Sequence, residues 1–131
     1  MTANPRFEGE SELNVLGEKL QACSNDPLTG FYRTGYCAAG PDSVATHLVC
    51  IAVSEQFLVY SARVGNDLST PRPEFAFPGL VSGNRWCLVA ARWLQAYEAD
   101  RAPRLYLRAT NRKVLDLIPL DVLKAYALDL N

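Results

Sequence analysis

Residues 47–65, HLVCIAVSEQFLVYSARVG, decide the fold class of this 131-residue chain. Residues 48–53 are continuously apolar and rich in β-branched side chains, which predicts a strand buried on both faces. Ser54 then suits the N-cap of a helix, with Glu55 in the first turn, where the helix dipole favours an anion. Gly65 is typical of a helix end. The stretch therefore predicts a strand followed directly by a helix.

The second half of the chain predicts more elements of both kinds. Residues 86–90 favour another interior strand, and residues 91–99 favour a short helix. Apolar and polar residues alternate over 105–109, which indicates a strand with one face in water. Residues 111–118 are predicted to form a helix, and residues 119–128 a final one, with its proline in the first turn.

The chain before residue 47 is organised differently. Residues 1–11 are polar and predict a flexible N-terminal tail. Residues 13–21 predict a hairpin, since Gly17-Glu18 separates two short apolar runs and suits a tight turn. Residues 23–43 are punctuated by glycine and proline and predict a long ordered loop with a cysteine near each end.

Together these elements predict an α+β fold, a small mixed sheet covered by helices. Residues 12–131 are expected to form a single domain of this class, with an N-terminal hairpin and two long ordered loops. A three-layer α/β arrangement is the alternative, because strands and helices alternate after residue 47.

The second long loop, residues 66–85, is the best candidate for a site. Pro71-Arg72-Pro73 removes backbone donors and excludes a central strand. Loops longer than about 12–15 residues in compact domains are usually functional or disordered. Phe75 and the other apolar residues of this loop argue against disorder, because they leave water only if the loop packs down.

Composition limits the classes of partner. Hydrophobic residues make up 49% of the chain and charged residues 21%, which is typical of a globular protein. The formal net charge is −1, which argues for neither a nucleic-acid nor a membrane-surface role. The longest apolar run, residues 48–53, is far shorter than the roughly 20 residues that cross a bilayer.

No basic start followed by an apolar run occurs in residues 1–11, so a cytoplasmic location is predicted. In a reducing cytoplasm Cys23, Cys37, Cys50 and Cys87 are expected to be thiols. Cys50 and Cys87 lie inside apolar runs and predict core packing. Whether Cys23 and Cys37 pair with each other is left open.

Cys23, Cys37 and His47 are the alternative candidates for chemistry. Their spacing matches no zinc-binding pattern, so neither a metal nor a cofactor is predicted, and enzymatic activity is left open. In a metal-binding, redox or hydrolytic enzyme, Cys37 and His47 would be catalytic, or all three would bind a metal. No phosphate-binding glycine motif is present.

A basic cluster after residue 100 raises nucleic acid as a partner. Its members, which flank Tyr106, are Arg101, Arg104, Arg108, Arg112 and Lys113. Arginine and aromatic side chains on a sheet face suit single-stranded nucleic acid. The slightly acidic chain argues against that partner, and a solvated strand face explains the cluster equally well.

Five stretches together resemble a bacterial domain-of-unknown-function family numbered 2237. They are LNVLGEKLQAC, DPLTGFYRTGYC, HLVCIAVSEQFLVYS, GNDLSTPRPEFAFPGL and RWCLVAARW, and the similarity runs from about Leu13 to Tyr126. The positions that carry it are Cys23, Asp26, Thr29, Gly30, Arg33, Cys37, His47, Cys50, Asp67, Ser69, Thr70, Arg72, Trp86, Cys87, Arg92 and Trp93. The resemblance implies a small soluble α+β domain without an established activity. Relatives often carry a cysteine at the position of Val89, so a metal site that needed that thiol would be incomplete here.

The leading hypothesis is a non-catalytic domain whose loops 23–43 and 66–85 converge on one surface. A small anionic ligand or a partner peptide would bind there, because an arginine fork suits planar carboxylate and phosphate groups. The predicted binding residues are Arg33, Asp67, Ser69, Thr70, Arg72 and Arg85. A homodimer formed through the same loops is a further alternative.

Overall fold

The computed structural model of the protein describes residues 12–40 and 46–130. The strands and α-helices are, in chain order, β1 (His47–Ala52), α1 (Glu55–Arg63), β2 (Arg85–Val89), α2 (Ala90–Glu98) and α3 (Leu120–Lys124). Short 3₁₀ helices lie at Pro73–Phe75, Leu107–Ala109 and Arg112–Asp116. The predicted tail at residues 1–11 and the end of the loop at residues 41–43 lie outside the described residues.

An antiparallel pair of strands, β1 and β2, forms the sheet. Cys50 lies opposite Cys87 and Ile51 opposite Trp86. The four central residues of β1 are all buried, as the unbroken apolar run predicted. With three α-helices beside this sheet, the α+β class is confirmed.

The junction between β1 and α1 follows the sequence closely. The Ser54 hydroxyl accepts a hydrogen bond from the Phe57 amide at 3.1 Å, which caps the helix N-terminus. The helix ends at Arg63, and Gly65 has a φ of +91°, a backbone conformation that glycine adopts without steric cost. The predicted cap and terminator are both confirmed.

Residues 105–109 differ from the predicted strand. Leu105 forms an antiparallel bridge to Ile51 and a parallel bridge to Ala127, so it extends the sheet by one residue only. The Asp129 carboxylate accepts hydrogen bonds from the Leu107 and Arg108 amides at 2.8 and 3.0 Å. These amides are therefore not available to a neighbouring strand, and the chain turns into a 3₁₀ helix.

The remaining predicted elements are shorter than expected. The hairpin at residues 13–21 is a turn closed by one antiparallel bridge between Leu13 and Lys19. The helix predicted at 111–118 is the 3₁₀ helix Arg112–Asp116, and the final helix ends at Lys124. Apolar period and capping locate these turns, but such short segments lack the length that makes an α-helix stable.

The cysteines are not thiols, which corrects the expectation from sequence. Disulfides join Cys23 to Cys50 and Cys37 to Cys87, and the described residues include no free cysteine. The partners lie 27 and 50 residues apart in the chain, so only the fold brings them together. Cys50 and Cys87 are buried as predicted, and Cys23 and Cys37 do not pair with each other.

Replacement of both Cys23 and Cys50 by alanine should lower the unfolding free energy by about 3 kcal/mol. The physical reason is that the unfolded variant gains conformational entropy, because residues 23 and 50, which are 27 apart, are no longer cross-linked. Urea unfolding of both proteins without reductant measures the difference. If the wild-type curve does not change when a reductant is added, the disulfides do not stabilise the fold.

Candidate functional site

Packing at its C-terminal end anchors the loop at residues 66–85. Leu80 is buried in the main core, and its amide donates to the Leu68 carbonyl at 2.8 Å. The Phe77 ring lies edge-on to Trp86, with the ring centroids 5.3 Å apart. Phe75 does not pack down, since 67% of its surface is exposed.

Arg72 lies at the base of a tight turn within this loop. The amides and carbonyls of Arg72 and Phe77 exchange hydrogen bonds of 2.8 and 3.1 Å around the 3₁₀ helix Pro73–Phe75. This pairing fixes the Arg72 backbone although its side chain is exposed. The guanidinium lies 4.0 Å from the Glu74 carboxylate, a pair in which both side chains are more than half exposed.

Asp67 organises the start of the loop. Its carboxylate accepts hydrogen bonds from the Thr70 hydroxyl at 2.6 Å and from the amides of Ser69 and Thr70 at 2.9 and 3.3 Å. The Thr70 hydroxyl, followed by the Ser69 amide, holds the pKa of Asp67 below its usual value. The predicted trio of Asp67, Ser69 and Thr70 thus forms an Asx turn.

Arg33 is held by the other long loop. Its backbone is left-handed, with a φ of +56°, and its Nη1 donates to the Gly30 carbonyl at 2.6 Å. The guanidinium carbon lies 5.2 Å from the Trp86 ring centroid, within cation–π range. Thr29 ties this loop to β2, since its hydroxyl accepts from the buried Cys87 amide at 2.9 Å.

These side chains surround one shallow pocket of about 250 Å³. Its lining residues are Arg33, His47, Asp67, Leu68, Arg72, Phe75, Phe77 and Trp86. Both long loops and both strands contribute to it. The pocket therefore has two arginines at an apolar, largely aromatic wall.

His47 is a half-buried polar residue of this pocket. Within residues 12–40 and 46–130, its Nδ1 is the one buried side-chain nitrogen or oxygen without a hydrogen-bond partner. Burial, and secondarily the Arg33 guanidinium, lower the pKa of His47 below its usual value near 6.5. A pKa below 6.5 keeps the imidazole mainly neutral at pH 7.

The other predicted site residues lie elsewhere. The Arg85 guanidinium lies 3.9 Å from the Tyr106 ring centroid, and Arg85 does not line the pocket. Cys23 and Cys37 are in disulfides, so in this state neither offers a thiolate as nucleophile or metal ligand.

Sequence reasoning did not assign the apolar wall to the site. Phe77 and Trp86 were expected to anchor the loop and to fill a strand, and they do both while also lining the pocket. The alternation of Phe75 with Phe77 next to two prolines was the available signal. Which aromatic ring remains exposed depends on the turn at Arg72, which no sequence pattern specified.

A larger depression of about 620 Å³ lies near the N-terminal turn. Its lining includes Glu12 and Asn111, but the Glu12 carboxylate accepts hydrogen bonds from the Asn111 amide and from the Ala39 and Gly40 backbone. Asn111 also donates to the Cys37 carbonyl at 2.9 Å. These polar groups already have structural partners, so the smaller pocket beside Arg33 is the better candidate site.

The fold defines a small α+β domain, with a two-stranded antiparallel sheet and three α-helices. The chain belongs to the family described as an uncharacterised protein conserved in bacteria (DUF2237), whose model matches residues 13–127. No curated protein matches it. In the described part of the chain, no helix is both long and apolar enough to cross a membrane.

Gly79→Ala should destabilise the loop more than Gly83→Ala. Both glycines have positive φ, which costs an alanine about 1 kcal/mol or more. A Cβ on Gly79 would also lie 2.5 Å from the Ser69 carbonyl oxygen, whereas one on Gly83 meets no atom within 4 Å. Hydrogen exchange at the Leu80 amide, which bonds across the loop, should be faster in Gly79→Ala. Equal exchange in both variants would contradict this packing.

The unfolding free energy should decrease as the pH is lowered from about 7 to about 5. The folded pKa of His47 lies below its unfolded value of 6.5, so the unfolded chain binds this proton first. Stability is therefore lost as the pH falls through the unfolded pKa, and the loss ends below the folded pKa. His47 is the only histidine, and His47→Gln should flatten this part of a urea-unfolding series. An unchanged pH slope in the variant would exclude His47 as its source.

Proposed function

We propose that this protein is a non-catalytic domain that binds a small anionic ligand in the pocket beside Arg33 and Arg72. The observation that carries the proposal is that the Arg33 guanidinium is positioned without a carboxylate partner among the described residues. This guanidinium is held over Trp86. An ordered, exposed guanidinium without a counter-charge is a ready partner for a carboxylate or phosphate group.

The local charges are compatible with an anion although two carboxylates are near. Asp67 uses its oxygens to accept hydrogen bonds from its own loop. Glu74 faces Arg72 at 4.0 Å in a solvent-exposed pair, and such pairs contribute about 0–1 kcal/mol. A ligand anion can therefore replace Glu74 at little cost and contact Arg72 as well as Arg33.

The size and wall of the pocket restrict the ligand further. Its volume of about 250 Å³ lies just below the usual range of about 300–1,000 Å³ for small-molecule sites. Phe77 and Trp86 supply a flat apolar surface that suits a ring or a short hydrocarbon chain. We therefore propose a small acid with one planar or apolar part, or the carboxyl end of a peptide that carries such a side chain.

The proposal includes two finer points about the protein in its cell. One is a cytoplasmic location, in which we expect both disulfides to be reduced, because disulfides persist mainly in oxidising compartments. The other is that the ligand occupies the pocket of one chain. The homodimer alternative would instead bury the exposed Phe75 ring at the pocket rim, and sedimentation at high concentration distinguishes the two.

A thermal-shift series with aromatic carboxylates, aliphatic carboxylates and phosphate esters tests the proposed function. A ligand at 100 times its Kd should stabilise the folded state by about 2.7 kcal/mol and raise Tm. Arg33→Ala should abolish the shift, and Arg72→Ala should reduce it. Arg104→Ala is the matched control, since it removes an exposed positive charge outside the pocket.

Arg33→Ala must lose the response and Arg72→Ala must weaken it, with each shift measured from that variant's own Tm without ligand. A response to the same acid that persists in Arg33→Ala, or that is lost equally in Arg104→Ala, would overturn the proposed site. His47→Gln adds a further comparison, because it removes the neutral imidazole without changing the charge at pH 7.

A further inference from the structure

The four cysteine sulfurs form one buried cluster. Cys50 and Cys87 are directly opposite each other on β1 and β2, so their side chains leave the sheet on the same face. Each is bonded to a cysteine of the loop that follows the N-terminal turn, Cys50 to Cys23 and Cys87 to Cys37. All four residues are at most 4% exposed.

The sulfurs of the two disulfides are also close to each other. Sγ of Cys23, Cys37 and Cys87 all lie within 4.8 Å of one another, and Cys50 is bonded to Cys23. Tetrahedral zinc with Zn–S bonds of about 2.3 Å needs sulfur–sulfur separations of about 3.8 Å. Opening of the two disulfide bonds would free the four side chains to rotate towards this spacing.

We propose that the reduced form of this cluster is a zinc site made by Cys23, Cys37, Cys50 and Cys87. Four thiolates complete the tetrahedral shell and exclude water, which defines a structural and not a catalytic site. The surroundings favour a thiophilic ion such as Zn²⁺, because Ala109 and Tyr106 pack against the sulfurs and the described residues place no carboxylate in this cluster.

The backbone of the two strand ligands is already fixed. The Cys50 amide donates to the Thr110 hydroxyl at 3.2 Å, and the Cys87 amide donates to the Thr29 hydroxyl at 2.9 Å. Two ligands on paired strands are held rigidly, and the loop supplies the other two. Zinc would therefore replace the disulfides as the link between this loop and the sheet.

Conversion of the disulfide form into the zinc-bound form requires a reductant and releases protons. Two molecules of a dithiol reductant transfer four electrons and four protons to the two disulfides and become two cyclic disulfides. The protein then carries four thiols. Zn²⁺ binds the four sulfurs as thiolates and releases up to four protons, so binding strengthens as the pH rises. Two molecules of a low-molecular-weight disulfide reverse the process: they take up four electrons and four protons, become four thiols, re-form both protein disulfides and release the ion.

This inference is independent of the proposed ligand pocket. Trp86 and Cys87 are consecutive strand residues, whose side chains point to opposite faces of a sheet. The sulfur cluster and the aromatic wall of the pocket therefore lie on different sides of β2. A variant that loses anion binding at the pocket can therefore keep zinc binding at the cysteines, and the reverse also holds.

The test uses the full chain, reduced with a dithiol and separated from it without oxygen. Titration with Co²⁺ should produce intense thiolate-to-cobalt charge-transfer absorption that saturates at about one ion per chain, and Zn²⁺ should displace the cobalt. Zinc should also raise the Tm of the reduced protein and leave that of the disulfide form unchanged.

Cys50→Ser removes one ligand and should weaken zinc binding to the reduced protein about tenfold or more. His47→Gln is the control and should bind zinc like the wild type, which separates this site from one that uses His47. Near-UV circular dichroism of wild-type protein, reduced with and without zinc, makes the test independent of whether Cys50→Ser folds.

Three results would overturn the proposal. The first is a reduced protein with four titratable thiols that takes up no stoichiometric Co²⁺ or Zn²⁺. The second is a folded Cys50→Ser variant with unchanged zinc affinity. The third is a reduced wild-type chain that remains unfolded with zinc present, which would identify the cysteines as permanent disulfide cross-links only.

Discussion

The pairing of β1 with β2 in one register is the constraint on which the rest of the structure depends. It places Cys50 opposite Cys87, and through these residues the sheet holds both parts of the loop that contains Cys23 and Cys37. A slip of one residue would turn Cys87 towards the main core and Trp86 towards the sulfurs. The disulfides, the position of the loop and the pocket therefore all depend on this one register of β1 and β2.

This register also explains why one short strand serves two buried clusters. Trp86 and Leu88 belong to the main core, whereas the intervening Cys87 belongs to the sulfur cluster. A strand buried on both faces exposes neither face to water. It can therefore contribute to a surface site only at its ends or where a loop crosses it. The candidate pocket lies at such a crossing, with Arg33 over Trp86.

The described parts of the two long loops, residues 23–40 and 66–85, are held in place by different interactions. The first is cross-linked to the sheet by disulfides, and Thr29 adds a buried hydrogen bond. The second has no covalent link and depends on Leu80, on the ring contact of Phe77 and on the turn at Arg72. Its exposed hydrogen bonds make it the less stable of the two, a common property of ligand-binding loops.

Part of the candidate site could be predicted because its chemistry is local. Arg33, Asp67 and Arg72 were selected from loops rich in glycine, proline and polar residues, and the structure places all three around one pocket. Asp67 with Ser69 and Thr70 shows the limit of such reasoning, because the same residue types form a self-contained turn. Arg85 shows another limit, since its contact with Tyr106 joins residues distant in sequence.

The sequence by itself determined the strand–helix unit from His47 to Gly65, the second strand, the caps and the α+β class. Those features depend on periodicity and capping within about ten neighbouring residues. Only the tertiary structure decided the disulfide partners, the bridges that Leu105 forms to Ile51 and Ala127, and the cation–π contact between Arg33 and Trp86. Each of these joins residues far apart in the chain, and no local pattern carries information about which distant residue the fold will place beside another.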